Sequence, residues 1–139
     1  MTLISADWAS LALRLVLGIT FVVHGYPKLK DLKGTAGFLG GLGFKPGIFW
    51  ALILGIAEFV GGLALLAGFA TKVAGGALVI SMTVATLLKI FKWKTPFTKP
   101  GGEAGWEWDL VLLGSLVALF LLGAGNILAV DSVLNWVLG

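Results

Sequence analysis

The sequence predicts an all-α fold, namely a polytopic membrane protein with a bundle of four transmembrane helices. Of the 139 residues, 58% are hydrophobic and only 12% are charged, and the mean hydropathy is +1.02. A soluble domain of this length has too little interior to bury so much apolar surface, so lipid must cover much of it. Four separate stretches are long and apolar enough to cross a bilayer. We therefore expect a single domain over residues 1–139.

The predicted spans follow one another with very unequal connections. They cover about residues 8–25, 47–68, 72–91 and 106–125. The second span begins just after Pro46, a residue that helix starts tolerate. Only a tight turn at residues 68–71 separates the second span from the third. These two helices must therefore be antiparallel neighbours.

The longer loops and the tail carry distinct patterns. Residues 34–42 in the first loop are glycine-rich with Phe and Leu between the glycines, which predicts a short interfacial segment. Residues 92–105 contain Pro96 and Pro100, which disfavour regular structure. After the fourth span the tail is apolar but too short to cross the membrane. We expect Asp131 to cap a final interfacial helix there.

The lysines predict the orientation in a cell membrane. The first loop carries four of them and the region around the third loop carries four more, whereas the remaining segments offer only Lys72. Cytoplasmic loops are enriched in Lys and Arg. The pattern therefore predicts a multi-pass protein with both long loops in the cytoplasm and both termini outside. The net charge of +3 comes from these loops and does not indicate nucleic-acid binding.

Composition also limits the chemistry that the chain can carry by itself. There is no cysteine and only one histidine, which excludes disulfides, thiolate metal sites, Cys-ligated iron–sulfur clusters and a bis-His haem within one chain. No phosphate-binding glycine motif and no metal-ligand spacing is present. We expect no metal and no cofactor held by motifs of this chain.

Two charged residues lie deep inside predicted spans, Arg14 and Glu58. Measured from the long-loop side, Arg14 would lie about 15 Å deep and Glu58 about 16 Å deep. Charges inside the bilayer are costly and are usually paired or functional. Because the first two spans should be antiparallel, we predict an ion pair between Arg14 and Glu58 near the midplane. It would either shape a ligand site or simply lock two helices together.

A second polar group is predicted at the mouth of the bundle on the long-loop side. His24 and Lys28 end the first predicted span, Glu107 and Asp109 begin the fourth, and Lys89 lies near the end of the third. Histidine changes protonation near neutral pH, so a proton-handling vestibule is one interpretation. The alternative is structural, because acids at helix starts favour the dipole and lysines at membrane ends extend towards water.

These motifs together resemble the DoxX family. Residues 14–29 resemble its first-helix signature, an Arg, a Gly and then His-Gly-x-x-Lys-Leu; residues 58–63 and 66–71 are similar to its Glu-x-x-Gly-Gly-Leu and Gly-x-x-Thr segments. Residues 106–110 resemble its fourth-helix region. The resemblance implies a small four-helix membrane protein of bacteria or archaea. It also implies a link to oxidoreductase systems, since some relatives resemble the membrane subunit of a thiosulfate:quinone oxidoreductase.

Three functions are compatible with these features. The first is a redox-associated membrane subunit that binds a quinone or a similar lipid-soluble molecule near Arg14 and Glu58, with electrons supplied by a soluble oxidoreductase partner. The second is an oligomeric transporter of a small anion attracted by Arg14. The third is a scaffold that anchors soluble redox enzymes through its lysine-rich loops. The expected partners are the lipid bilayer, a soluble oxidoreductase and a second copy of the chain, and not nucleic acid.

Overall fold

The computed structural model describes residues 5–138, with side chains described through residue 135. Within these residues the chain is helical and contains no strand, which confirms the all-α prediction. A π-helical turn, Leu88–Lys92, prolongs the fourth helix, and a 3-10 turn, Pro100–Gly102, interrupts the following loop. The α-helices are α1 (Ala6–Lys30), α2 (Leu32–Gly41), α3 (Gly47–Ala67), α4 (Thr71–Leu87), α5 (Glu107–Leu122) and α6 (Val130–Leu138).

Three helices of the described residues are long and apolar enough to cross a membrane. They are Ala6–Lys30, Gly47–Ala67 and Thr71–Lys92, the last being α4 with its π-helical turn. The predicted fourth span at residues 106–125 is represented by α5, which has 16 residues. At 1.5 Å per residue, α5 is about 24 Å long, shorter than a hydrocarbon core of roughly 30 Å. The membrane character is thus supported, while the count of four spans is not confirmed.

The first helix is longer than its predicted span of residues 8–25. α1 continues past Gly25 to Lys30 and includes Pro27. Gly25 packs directly against the α3 backbone, and an added Cβ would lie 2.8 Å from Phe59 Cα. His24 therefore lies inside α1, whereas Lys28 belongs to its last turn, as predicted. The chain then turns at Asp31, whose carboxylate accepts a hydrogen bond from Gly34 N at the start of α2 (2.9 Å).

Glycines allow α1 and α3 to pack closely along most of their length. A Cβ on Gly18 would lie 2.9 Å from Gly62 O, and one on Gly62 would lie 2.8 Å from Val22 N. Small residues commonly allow membrane helices to approach in this way. This contact fixes the axial register of α1 and α3, and it thereby fixes which polar groups of the two helices can meet.

The turn between α3 and α4 has the predicted antiparallel geometry. Gly68 adopts the left-handed conformation (φ 63°, ψ 37°), and Phe69 N donates to Ala64 O at 2.9 Å, as in a common glycine-ended helix terminus.

Helices α1, α3, α4 and α5 surround one core, whose fully buried members are Leu17, Phe21, Leu65, Leu78, Leu116 and Leu119. Large apolar side chains on the outer faces, such as Ile80 and Leu121, remain exposed to the surroundings, as expected for a lipid-facing perimeter.

The predicted segments outside the spans also form helices. The glycine-rich part of the first loop is α2, and the tail after α5 forms α6. Their position at a membrane interface stays a prediction. Asp131 lies within α6, but its carboxylate accepts hydrogen bonds from Ala70 N (2.7 Å) and Thr71 N (3.0 Å). Asp131 thus caps α4 and not the final helix, because the tail folds back over the turn between α3 and α4.

Candidate functional site

The predicted ion pair between Arg14 and Glu58 is wrong. Arg14 is fully buried, but it lies beside Gly68, where an added Cβ would collide with its guanidinium. Gly68 is ten residues beyond Glu58, or about 15 Å along the helix axis. The prediction failed because it placed the end of the first helix at Gly25. With α1 extending to Lys30, Arg14 lies nearer the end of the bundle that carries the short turn.

Arg14 instead holds the tail of the chain. Its Nη1 donates to Leu128 O (3.0 Å) and its Nη2 donates to Ile127 O (2.5 Å). Other contacts fasten the same segment to α1, since Ser10 Oγ donates to Gly123 O (2.6 Å) and Asn126 N donates to Asp7 Oδ1 (3.0 Å). Both terminal nitrogens of the guanidinium are therefore occupied by backbone carbonyls, and Nε is buried without a hydrogen-bond partner among the described side chains. This arrangement indicates a structural role for Arg14, with no access for a ligand.

Glu58 pairs with Lys28, a residue that the sequence assigned to the mouth of the bundle. The ammonium of Lys28 forms an ion pair with Glu58 Oε2 and also donates to His24 O at 3.2 Å. Glu58 is 6% exposed. Gly25 allows α3 to approach α1 at the level of Glu58. Lys28 lies one helical turn after Gly25, which places its side chain near the Glu58 carboxylate. The Lys28–Glu58 pair therefore ties α1 to α3 and partly offsets the cost of burying the carboxylate.

A second ion pair joins α5 to the end of the third long helix. Lys89 Nζ donates to Asp109 Oδ1 at 2.9 Å and lies 2.8 Å from Oδ2. Asp109 is 6% exposed, although it belongs to the first turn of α5. Lys89 lies in the π-helical turn Leu88–Lys92, a type of distortion that occurs frequently at functional sites. The altered winding changes the direction of Lys89 relative to a continuous α-helix.

A groove between α1 and α5 brings several of the predicted site residues together. Its volume is about 540 Å³. It exists because α1 packs far more extensively against α3 than against α5. The walls are mainly apolar, and the polar members are concentrated around one ion pair. We name it the α1–α5 groove; it is lined by Leu13, Val16, Leu17, Ala104, Trp108, Val111 and Leu112, together with Thr20, His24, Lys89, Asp109 and Ser115.

The chemistry of the α1–α5 groove is uneven along its length. His24 and the Lys89–Asp109 pair provide titratable and charged groups towards the long-loop end. Thr20 and Ser115 add hydroxyls, but each donates to the carbonyl four residues earlier in its own helix. They therefore retain only acceptor capacity towards a ligand. The groove suits an elongated apolar molecule with a polar head, which is the usual composition of a small-molecule site.

The predicted vestibule is therefore only partly assembled. His24 and Asp109 share the α1–α5 groove with Lys89, whereas Lys28 does not line it. Glu107 also lies outside its lining, and its Oε2 is buried without a hydrogen-bond partner among residues 5–138. Within the same residues, no group of three or more His, Asp or Glu side chains is arranged to hold a metal ion.

Sequence reasoning missed the role of α1 and α5 as groove walls. The signal was present, because Leu13, Leu17, Thr20 and His24 recur at three- and four-residue intervals on one face of a helix. Residues 108, 111, 112 and 115 show the same spacing in α5. Periodicity alone did not reveal that these faces leave a gap between them, since an apolar face most often packs fully.

One family model and two named proteins are similar to this chain. The DoxX family model matches residues 9–91, which include Arg14, His24, Lys28, Glu58 and Lys89. The protein named "Putative oxidoreductase CatD" of Bacillus subtilis (strain 168) is 33% identical over 127 residues, covering 91% of this chain and 87% of the relative. "Inner membrane protein YqjF" of Escherichia coli (strain K12) is 28% identical over 129 residues, covering 93% and 94%. No solved structure matches the chain.

Proposed function

The chain belongs to the DoxX family of membrane proteins, and we propose that it is a membrane subunit of an oxidoreductase system. In this proposal it binds a quinone, or a lipid-soluble molecule of similar shape, in the α1–α5 groove. The observation that carries the proposal is the groove itself, a mainly apolar channel of about 540 Å³ that ends at His24 and the Lys89–Asp109 pair. The name of the Bacillus relative supports the oxidoreductase association.

The two ends of the α1–α5 groove would contact different parts of the quinone. The apolar walls, including Leu13 and Leu112, would bury the ring and the start of a tail. At the polar end Lys89 would donate to a ring carbonyl while remaining held by Asp109. His24 would exchange protons with the aqueous side, as quinone reduction requires. Electrons would come from a soluble oxidoreductase partner, since the chain carries no motif for a redox centre.

The proposal includes a membrane arrangement with α5 as a fourth crossing. The outward side chains Leu110 and Leu121 are apolar and exposed, as lipid contact requires. A helix shorter than the hydrocarbon core can be accommodated by local thinning of the bilayer. Both long loops, which carry most lysines, would lie in the cytoplasm and the termini outside.

Of the alternatives, anion transport through Arg14 has lost its main support. The guanidinium is fully buried and donates to the carbonyls of Ile127 and Leu128, so it is not available to attract an anion. The scaffold alternative differs from the present proposal in one measurable respect. A scaffold requires no ligand in the α1–α5 groove.

Fluorescence quenching provides the test, because Trp108 lines the α1–α5 groove. The full chain would be purified in detergent and titrated with decylubiquinone, a quinone with a short alkyl tail. The other five tryptophans contribute a background, so we expect a saturable component of the quenching that is absent in Trp108→Phe. We also expect Ser115→Phe, which places a bulky ring in the groove, to weaken binding by about tenfold or more, equivalent to about 1.4 kcal/mol.

Two controls separate groove binding from partition into the micelle. Val117→Phe adds the same ring on an exposed face of α5 outside the groove lining, and it should leave the affinity unchanged. Glu58→Gln alters the Lys28–Glu58 ion pair and should also leave the quinone affinity unchanged. A binding site at Arg14 and Glu58, as first predicted, would instead lose affinity in this variant. If Ser115→Phe binds the quinone as well as the parent protein, the groove proposal fails and the scaffold alternative gains support.

A further inference from the structure

A long part of the chain carries basic residues almost without acidic ones. Between Asp31 and Glu103 the sequence contains one acidic residue, Glu58, and seven lysines. Glu58 is buried and paired with Lys28, so it does not neutralise this region. Apart from Lys72 and Lys89, these lysines lie in the loops at one end of the bundle and at the ends of its helices. The resulting surface is positively charged.

Two lysine-bearing segments meet where the end of α2 contacts the end of the α4 span. Lys92 Nζ lies 3.5 Å from Leu42 O, at the C-terminal end of α2. Lys45 follows Leu42 by three residues and Lys94 follows Lys92 by two. All three are exposed, and among residues 5–138 none has a carboxylate within ion-pair distance.

Exposed aromatic rings accompany these charges. Phe38 of α2 stacks on Trp93, with 6.0 Å between the ring centroids and an interplanar angle of 29°. The two rings remain 57% and 44% exposed, respectively. We name this surface the lysine corner, and define it as Lys45, Lys92 and Lys94 with Phe38 and Trp93.

The position of the lysine corner relative to the spans identifies its partner. Lys45 lies two residues before the span Gly47–Ala67, and Lys92 is the last residue of the span Thr71–Lys92. The two spans are antiparallel neighbours, so the start of the first and the end of the second lie at the same end of the bundle. In a membrane, lipid phosphates would contact the chain at this end. Tryptophan and other aromatic rings favour that level of a bilayer. Exposed rings beside lysines at the ends of two spans therefore favour a lipid headgroup as the partner.

We propose that the lysine corner binds the phosphate of an anionic phospholipid, with its three ammonium groups supplying the charge and Phe38 and Trp93 contacting the glycerol and upper acyl region. Clusters of lysine at the ends of membrane spans attract anionic headgroups, each contributing a roughly fivefold preference near the surface. None of the five residues of the lysine corner lines the α1–α5 groove, so lipid binding here can be tested separately from quinone binding.

Native mass spectrometry of the full chain in detergent tests the proposal. The protein would be incubated with equal amounts of phosphatidylglycerol and phosphatidylcholine carrying the same acyl chains. The measured quantity is the ratio of phosphatidylglycerol to phosphatidylcholine adducts. We expect a clear preference for phosphatidylglycerol, and a loss of at least about fivefold in the variant Lys45→Gln/Lys92→Gln/Lys94→Gln.

Two further variants identify the cause of any loss. Lys72→Gln/Lys99→Gln removes lysines outside the lysine corner and should keep the preference. The triple substitution of Lys45, Lys92 and Lys94 by arginine retains the charge and should also keep it. The proposal is overturned if the parent protein shows no preference, if the glutamine triple variant keeps it, or if Lys72→Gln/Lys99→Gln loses as much. An absent preference in the parent would favour an acidic protein as the partner of these lysines.

Discussion

Replacing Gly25 by alanine should destabilise the protein, because Gly25 is where α1 lies closest to the α3 backbone. A Cβ at this position would lie 2.8 Å from Phe59 Cα and 2.9 Å from the carbonyl carbon of Glu58. Both distances are shorter than real Cβ contacts, and both neighbours are backbone atoms that cannot rotate away. The helices must separate to admit the methyl group. Overpacking of this kind typically costs about 1–3 kcal/mol.

Gly114 provides a matched control for this substitution. It also lies inside a helix, α5, but a Cβ added there would meet no heavy atom within 4 Å, apart from its own chain neighbours and helix backbone. Alanine in place of helical glycine gains up to about 1 kcal/mol of helix propensity at either site. The difference between Gly25→Ala and Gly114→Ala therefore isolates the steric cost, and we expect it to be about 1–3 kcal/mol.

The free energy of unfolding can be measured by titrating the micelle-bound protein with sodium dodecyl sulfate while following circular dichroism. Loss of contact between α1 and α3 should also loosen the Lys28–Glu58 pair, because Gly25 and Glu58 face each other there. If Gly25→Ala is as stable as Gly114→Ala, then α1 and α3 do not pack at the described distance, and the register inferred from their glycines is incorrect.

The other predictions concern the tail and the second ion pair. Arg14→Gln should speed hydrogen exchange at the Asp131 amide, which donates to Gly68 O. The reason is that the tail loses the hydrogen bonds from the guanidinium to its carbonyls. Unchanged exchange would contradict the anchoring role of Arg14. Asp131→Ala should lower the free energy of unfolding by about 1 kcal/mol through loss of the α4 cap, and Asp131→Asn by less. Lys89→Met should cost about 1–3 kcal/mol by leaving the Asp109 carboxylate buried without its cation, and a second change, Asp109→Leu, should recover part of that loss in the same unfolding assay.

The wrong prediction for Arg14 shows that depth along a helix does not reliably predict which side chains form an ion pair. Counting Arg14 from His24 and Glu58 from Gly47 placed the two residues at similar depths, but the count depends on where each helix ends. Gly25, the last residue of the predicted first span, is instead a point of close contact with the α3 backbone. The tail then supplied carbonyl acceptors for Arg14 from more than a hundred residues away. Such a long-range partner leaves no periodic trace in the sequence.

The two ion pairs illustrate the same point at the other end of the bundle. Lys28, Lys89, Glu58 and Asp109 were all recognised as unusual because they lie in or beside apolar stretches. Which lysine meets which carboxylate depends on the register of α1 with α3, and on the π-helical turn that orients Lys89. Neither feature has a reliable local signal, so the sequence could name these residues but not which of them form ion pairs.

The sequence by itself determined the helical class, the apolar stretches and their order, because hydropathy and chain length act locally and need no knowledge of neighbours. It also determined the tight antiparallel turn at Gly68 and the family. Only the tertiary structure decided that Arg14 holds the tail, that Glu58 pairs with Lys28, and that α1 and α5 leave a groove between them. These depend on how close two helices can approach, and that distance is set by glycines whose missing side chains matter only once the opposing backbone is in place.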